Sequence, residues 1–164
     1  MIAGAAMASN SQFKTGRPTA SSPSVRRRMI ATKRRDTPEE VRLRRVLHRM
    51  GFRYSIDSAP LPSLRRRADI LFRRDKVAVF VDGCFWHGCP THKSQPKTNA
   101  EWWRAKLAAN IRRDRDTDSG LRAAGWLVIR VWAHEPPDRA ANRVQRSLAR
   151  RRASRAGAAR RGTG

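Results

Sequence analysis

The chain has 164 residues, with 37 Lys/Arg against 13 Asp/Glu, a net charge of +24 and 39% hydrophobic residues. That length suits one domain with a modest core, and no apolar run reaches the ~18–20 residues of a membrane-spanning helix. Such a basic excess disfavours a small neutral substrate and favours a polyanion.

The apolar opening "MIAGAAMA" lacks a preceding positive charge and reads as a flexible start rather than a signal peptide. Residues 1–25 are rich in Ser, Ala, Thr and Pro and are expected to be disordered, and "RRRMIATKRRD" (26–36) forms a basic arm. Residues 1–35 hold eight Lys/Arg and no acid; residues 138–164 hold nine, with Asp138 the sole acid. The two ends therefore carry +16 of the net charge, and the central part keeps +8. A domain over 26–150 and a disordered basic tail over 151–164 are expected.

"TPEEVRLRRVLHRMG" carries a full helix signature, with Thr37 as N-cap, Pro38 at the first position and Glu40 closing a capping box. Leu43, Val46, Leu47 and Met50 give the apolar stripe and Gly51 the stop. Strands are expected at "FRYSI" (52–56), "RADILF" (67–72) and "KVAVFVD" (76–82), the last continuously apolar as in a central strand. A helix is expected over 98–125, opened by a Thr98–Glu101 capping box, striped by Trp103, Leu107 and Ile111, and broken near Ser119–Gly120. "WLVIRVW" (126–132) is a further strand, and Asp138 caps a basic final helix. This order predicts an α/β fold, a small mixed sheet flanked by helices.

The loop after the third strand concentrates chemistry. Cys84-x4-Cys89-x2-His92 places three zinc-type ligands within nine residues, and His134 beyond the last strand can supply a fourth. The alternative is two buried thiols and surface histidines. His87 stands between the cysteines, so it either points elsewhere for acid–base work or replaces His92 as a ligand. Two strands also carry acids near their ends, Asp69 and Asp82, and oxygen ligands so placed suit Mg2+ and phosphodiester hydrolysis. Asp114, in "NIRRDRD", reads by itself as a solvated ion-pair partner. The adjacent aromatics Phe85 and Trp86 could insert between bases or seal the loop against the core.

"GCFWHGCPTH", with "LPSLRRRADILF" upstream and "WWRAKLAANIRRDRD" and "GWLVIRVW" downstream, resembles the very short patch repair (Vsr) DNA mismatch endonucleases over residues 25–135. The resemblance implies a restriction-endonuclease-like fold with a structural zinc site, and nicking of double-stranded DNA 5′ of the T in a T:G mismatch left by 5-methylcytosine deamination. It implies Mg2+ held by Asp69 and the backbone carbonyl of Val81, His87 as general base and Asp114 orienting it. Glu40 falls near the active site, and Asp82 either binds metal or supports the site. Zn2+ is expected on Cys84, Cys89, His92 and His134, although the family pattern has Cys where this chain has His134. The Lys of the broader nuclease motif is absent, with Cys84 in its place. Phe85 and Trp86 match an aromatic wedge, and Met29 on the basic arm enters from the other groove. A cytoplasmic, nucleoid-associated monomer is expected, with mismatch-repair proteins as candidate partners. A non-catalytic zinc-containing nucleic-acid-binding protein is the alternative, and a general nuclease of the same fold a third reading.

Overall fold

The computed structural model describes residues 23, 24, 27, 35–92 and 96–161. Among them three long helices and four strands form one sheet: α1 (Pro38–Arg49), β1 (Ser55–Ser58), β2 (Ala68–Phe72), β3 (Val77–Asp82), α2 (Ala100–Ala123), β4 (Leu127–Trp132) and α3 (Pro137–Arg161). The strands lie in the order β1-β2-β3-β4. β1–β2 and β2–β3 are antiparallel, while β3–β4 is parallel and needs the α2 crossover. The fold is thus mixed α/β, as the alternation of periodicities predicts.

Alternation along the strands splits the core in two. Ile70, Phe72, Val77, Val79, Ile129 and Val131 face α1 (Leu43, Val46, Leu47) and α3 (Ala140, Ala141, Val144, Leu148). Leu71, Ala78 and Phe80 face the other way, against Leu121 and Trp126 under α2. β3 is buried on both faces, which is why its sequence is apolar without alternation. No helix among the described residues is long and apolar enough to cross a membrane.

Several boundaries differ from expectation. β1 starts at Ser55, not Phe52, because the Phe52 N–H closes α1 by donating to the Leu47 carbonyl at 3.0 Å. Phe52 and Tyr54 instead put their rings edge-on to Phe72, 6.0 and 5.8 Å between centroids. α2 begins one turn residue later than the Thr98 box predicts. Asn99, at φ 56°, is its N-cap and makes no side-chain capping bond. The helix also runs unbroken through Ser119–Gly120, since Asp118 is ion-paired to Arg130 and Leu121 is fully buried. Pro137 opens α3, so Asp138 lies in the first turn rather than at the cap. α3 continues to Arg161, where a disordered tail from 151 was expected. The N-terminal tail, most of the basic arm and Met29 lie outside the described residues.

Candidate active site

The site forms where the sheet comes apart. The β2–β3 ladder pairs Phe72 with Val77 through to Ile70 with Val79, whereas β3 and β4 stay paired through Asp82 and Trp132. Beyond Val79 the β3 backbone therefore has donors that β2 no longer satisfies. The Val81 N–H turns to the Asp69 side chain and donates to Oδ2 at 2.6 Å. Asp69 is held against the backbone of Val81, the segment whose carbonyl was expected to share a cation with it.

That carboxylate is under pressure. Burial, aided by the negative charges of Glu40, Asp82 and Asp57, pushes Asp69 from 3.8 up to about 7 against the opposing Val81 N–H. A half-buried acid among other acids is what a cation site looks like before its cation is counted, and oxygen donors suit a hard ion such as Mg2+. Glu40, 5% exposed on α1, is one of those acids. Its two oxygens accept from Thr37 Oγ1 and the Asp36 N–H, both at 2.9 Å. The expected capping box thus forms, but Glu40 reaches back to residue 36 rather than to the Thr37 N–H.

Asp82 ends β3 on the face covered by α2. Both its oxygens lie 2.9 Å from Arg130 Nη1. Burial raises the Asp82 pKa, and Arg130 offsets part of that rise. His87 lies on the following loop, its Nδ1 2.7 Å from Asp114 Oδ2 and 3.5 Å from Asp82 Oδ1. Burial works against charging the imidazole, but the bond to Asp114 and the charges of Asp82 and Asp114 outweigh it, so the His87 pKa is raised. Asp114 is correspondingly lowered: burial opposes its ionisation, and the His87 bond with the Arg130 and Arg113 charges wins. Read alone, Asp114 is a surface ion-pair acid; in the fold it is the imidazole's partner.

Arg130 is the residue the sequence reading passed over. It bonds Asp82, donates to Asp118 Oδ1 from Nε (3.0 Å) and Nη2 (2.9 Å), and reaches the Asp114 carbonyl at 3.3 Å. Its guanidinium also sits 5.1 Å above the Phe80 ring. The signal was an arginine interrupting an otherwise apolar strand, "WLVIRVW". Asn110 was missed too: buried on α2, it donates from Nδ2 to the Trp86 carbonyl at 3.2 Å and so anchors the loop.

A group of cysteines and histidines gathers at the far side of the loop. Ligand atoms of Cys84, Cys89, His92 and His134 all lie within 4.8 Å of one another. Cys84 Sγ is 3.1 Å from His134 Nδ1, and Cys89 Sγ is 3.7 Å from Nδ1 of both His92 and His134. A tetrahedral zinc with Zn–S near 2.3 Å and Zn–N near 2.0–2.1 Å puts S and N about 3.5 Å apart, so this donor set fits. His87 stays outside the group, its Nδ1 committed to Asp114, so the substitution of His87 for His92 is not needed. Gly88 makes the turn possible. Its φ is +68°, and a Cβ there would stand 2.7 Å from Ile111 Cδ1.

Phe85 and Trp86 are half-buried rather than freely exposed. Their rings pack edge-on at 5.0 Å, and both meet the buried Trp103, at 5.2 and 5.7 Å. The sealing role thus holds here, and a wedge would have to leave this cluster.

A carboxylate at a splayed strand pair, a half-buried His–Asp pair and a Cys/His group capable of holding a metal mark a basic α/β protein with a candidate hydrolytic site. The family model described as "DNA mismatch endonuclease Vsr" matches residues 19–93. The type II nicking enzyme V.NaeI of Lentzea aerocolonigenes is 46% identical over 111 residues, 66% of this chain and 67% of that protein. V.XorIIP of Xanthomonas oryzae, another type II nicking enzyme, is 36% identical over 119 residues, 71% of this chain and 85% of its own length. The DNA mismatch endonuclease Vsr of Escherichia coli K12 is 38% identical over 107 residues, 64% and 65% of the two chains. The chain belongs to the Vsr family.

Proposed function

We propose that the protein is a DNA mismatch endonuclease that nicks one strand 5′ of the T in a T:G pair, by Mg2+-dependent phosphodiester hydrolysis. The observation that carries this reading is the His87–Asp114 bond of 2.7 Å beside the Asp82 carboxylate, on the loop that follows the Asp69-bound end of β3. The same end thus offers a base and an acidic oxygen donor.

Asp69 and the Val81 carbonyl would hold the cation, which when bound stabilises charge on the phosphoryl oxygens. His87 takes the proton from the attacking water through its free Nε2, while Asp114 holds Nδ1–H and favours the positive ring. Arg130 occupies both oxygens of Asp82, so we assign Asp82 to supporting the His87 ring rather than to direct cation binding. Glu40, which caps α1, would also contact waters of a bound cation. Cys84, Cys89, His92 and His134 would hold Zn2+, which when bound would stiffen the loop that bears His87.

Phe85 and Trp86 would rotate out of the Trp103 cluster to enter the stack at the mismatch. Breaking the cluster and unstacking the bases both cost energy, which is smallest at a weakened pair. Met29 would enter from the other groove. The net +8 of residues 36–137 supports the duplex as partner, and the enzyme acts as a monomer in the cytoplasm beside the nucleoid, with mismatch-repair proteins as candidate partners.

The test is a labelled duplex carrying a single T:G pair, incubated with protein and Mg2+. A nick on the T strand, absent in Asp69→Ala and His87→Ala, is expected. Tight binding with no cleavage would instead support a non-catalytic binding protein. Equal cutting of matched DNA would point to a general nuclease.

A further inference from the structure

The arginines of the C-terminal helix outrun anything the active site needs. Among the described side chains Leu148 is the last buried one of α3, yet the helix runs on through Arg150, Arg151, Arg152 and Arg155. Arg155 lies three and four residues from Arg152 and Arg151, so these like charges repel along one face of the helix. Among the described residues, the ion pairs made by α3 arginines are Arg143 with Glu135 and Arg152 with Asp75. Arg139, Arg146 and Arg150 are exposed.

This helix end meets the β2–β3 turn around a cavity of about 560 Å³ lined by Arg74, Asp75, Arg152, Arg155 and Ala156. Asp75, 6% exposed, is saturated: Arg152 Nε and Nη2 hold its two oxygens at 2.9 and 2.8 Å. Arg151 donates to the Gly125 and Asp75 carbonyls, and Arg155 to the Arg74 carbonyl. Carbonyl tethers fix guanidinium groups in place without neutralising them. Three lining guanidiniums against one carboxylate leave an excess of positive charge, in rigid forks that match phosphate oxygens.

We propose that the C-terminal half of α3 and the β2–β3 turn form a second docking surface, for the phosphodiester backbone of a duplex segment other than the one at the active site. The inference rests on the proposed DNA-acting role and extends it. Arg146 to Arg155 spans about 14 Å of helix, over which one strand of B-form duplex presents about four phosphates. The surface lies at the Val77 end of β3 and the active site at the Asp82 end, about 17 Å apart at ~3.3 Å per residue. Because the two places lie at opposite ends of the strand, a stiff duplex that crosses the active-site end transverse to the strands leaves the Val77 end open to a second segment. Holding a second segment lets the protein pass between stretches of DNA without full release.

Energy transfer between two short duplexes tests this with the full-length protein. One duplex carries the T:G pair and a donor dye; the other is fully matched and carries an acceptor. Wild type should bring the dyes together. The triple variant Arg74→Gln/Arg150→Gln/Arg155→Gln should bind the matched second duplex about 10-fold more weakly. Its log–log salt slope for that step should fall by about 2–3, at ~0.9 for each phosphate no longer neutralised. Binding of the T:G duplex should change less than about twofold on the same scale. Because Arg155 also tethers the turn, Arg74→Gln/Arg146→Gln/Arg150→Gln serves as the second variant and should show the same selective loss. The inference is overturned if the T:G duplex binds but wild type yields no energy transfer, or if both variants bridge as well as wild type. Displacement of the second duplex by poly-glutamate as readily as by DNA would assign the surface to an acidic protein and also overturn it. If neither duplex binds, the proposed function fails as well, an outcome distinct from loss of the second duplex alone.

Discussion

Asp69 stores a conflict between charge and burial that a metal-free measurement can read. Its carboxyl is pushed to about 7 chiefly by burial. A raised folded-state pKa means that the stability contributed by the protonated form is full below about pH 4 and lost as pH climbs towards 7. Asp69→Asn removes that loss while keeping an acceptor for the Val81 N–H. In metal-free protein the variant should match wild type near pH 4 and exceed it by on the order of 2 kcal/mol at pH 8, by thermal melting. Mg2+ should stabilise wild type and leave the variant unmoved; a pH-independent difference would refute the account. As the proposed general base His87 must be neutral, so nicking should decline as pH falls through its raised pKa. Asp114→Asn should cut the rate ~100-fold or more and move that acidic limb to lower pH, because the carboxylate charge that helps raise His87 is gone. Arg130 is a third such position. Arg130→Met leaves Asp82 and Asp118 facing each other without their shared guanidinium and should cost about 3–5 kcal/mol, measured by denaturant unfolding. Arg130→Lys should recover part of that stability, having charge but not the fork that serves both acids at once.

At the level of elements, the loop between β3 and α2 is held by devices that a residue pattern reveals unequally. The Cys84, Cys89 and His92 spacing announces a clamp, and His134 joins it because β4 is parallel to β3 and ends beside the loop. Chelation should lower the melting temperature by several degrees and loosen His87, read as faster hydrogen exchange in residues 83–92. Gly88 serves the same loop. Gly88→Ala forces a left-handed residue against Ile111, and should destabilise the protein by about 1–2 kcal/mol while weakening metal retention in a chelator competition. The aromatic pair needs a revised expectation. Considered as exposed rings, Phe85→Ala/Trp86→Ala should spare folding. Packed on Trp103, the double change should cost several kcal/mol in addition to reducing the preference for mismatched duplex. Loss of stability with unchanged discrimination would leave these rings a packing role alone.

For the whole molecule, charge placement matters more than charge total. The active-site end gathers the buried Glu40 and Asp82 with the half-buried Asp69, Asp114 and Asp118, while the opposite end gathers arginines on α3 and the β2–β3 turn. A polyanion approaching the acidic end needs either a cation in place or basic flanks to offset repulsion. Binding of the T:G duplex should therefore strengthen on adding Mg2+ to metal-free wild type, and much less so in Asp69→Asn, in a fluorescence-anisotropy titration at fixed ionic strength.

Local chemistry in the chain was enough for the elements and for the inventory of reactive groups. A capping box, an apolar stripe and a continuous apolar run are properties of neighbouring residues, so α1 and β3 were legible, as were the clustered cysteines and the acids interrupting strands. The meeting of distant groups was not. Asp69 reaches Val81 only because β2 and β3 part after Val79, and Asp114 becomes the partner of His87 only because α2 crosses the sheet face that carries Asp82 and Arg130. Spacing within the chain carries no information about such approaches, since packing between layers sets them; the same packing drew α2 through Gly120 and joined the α3 arginines to the turn at Asp75.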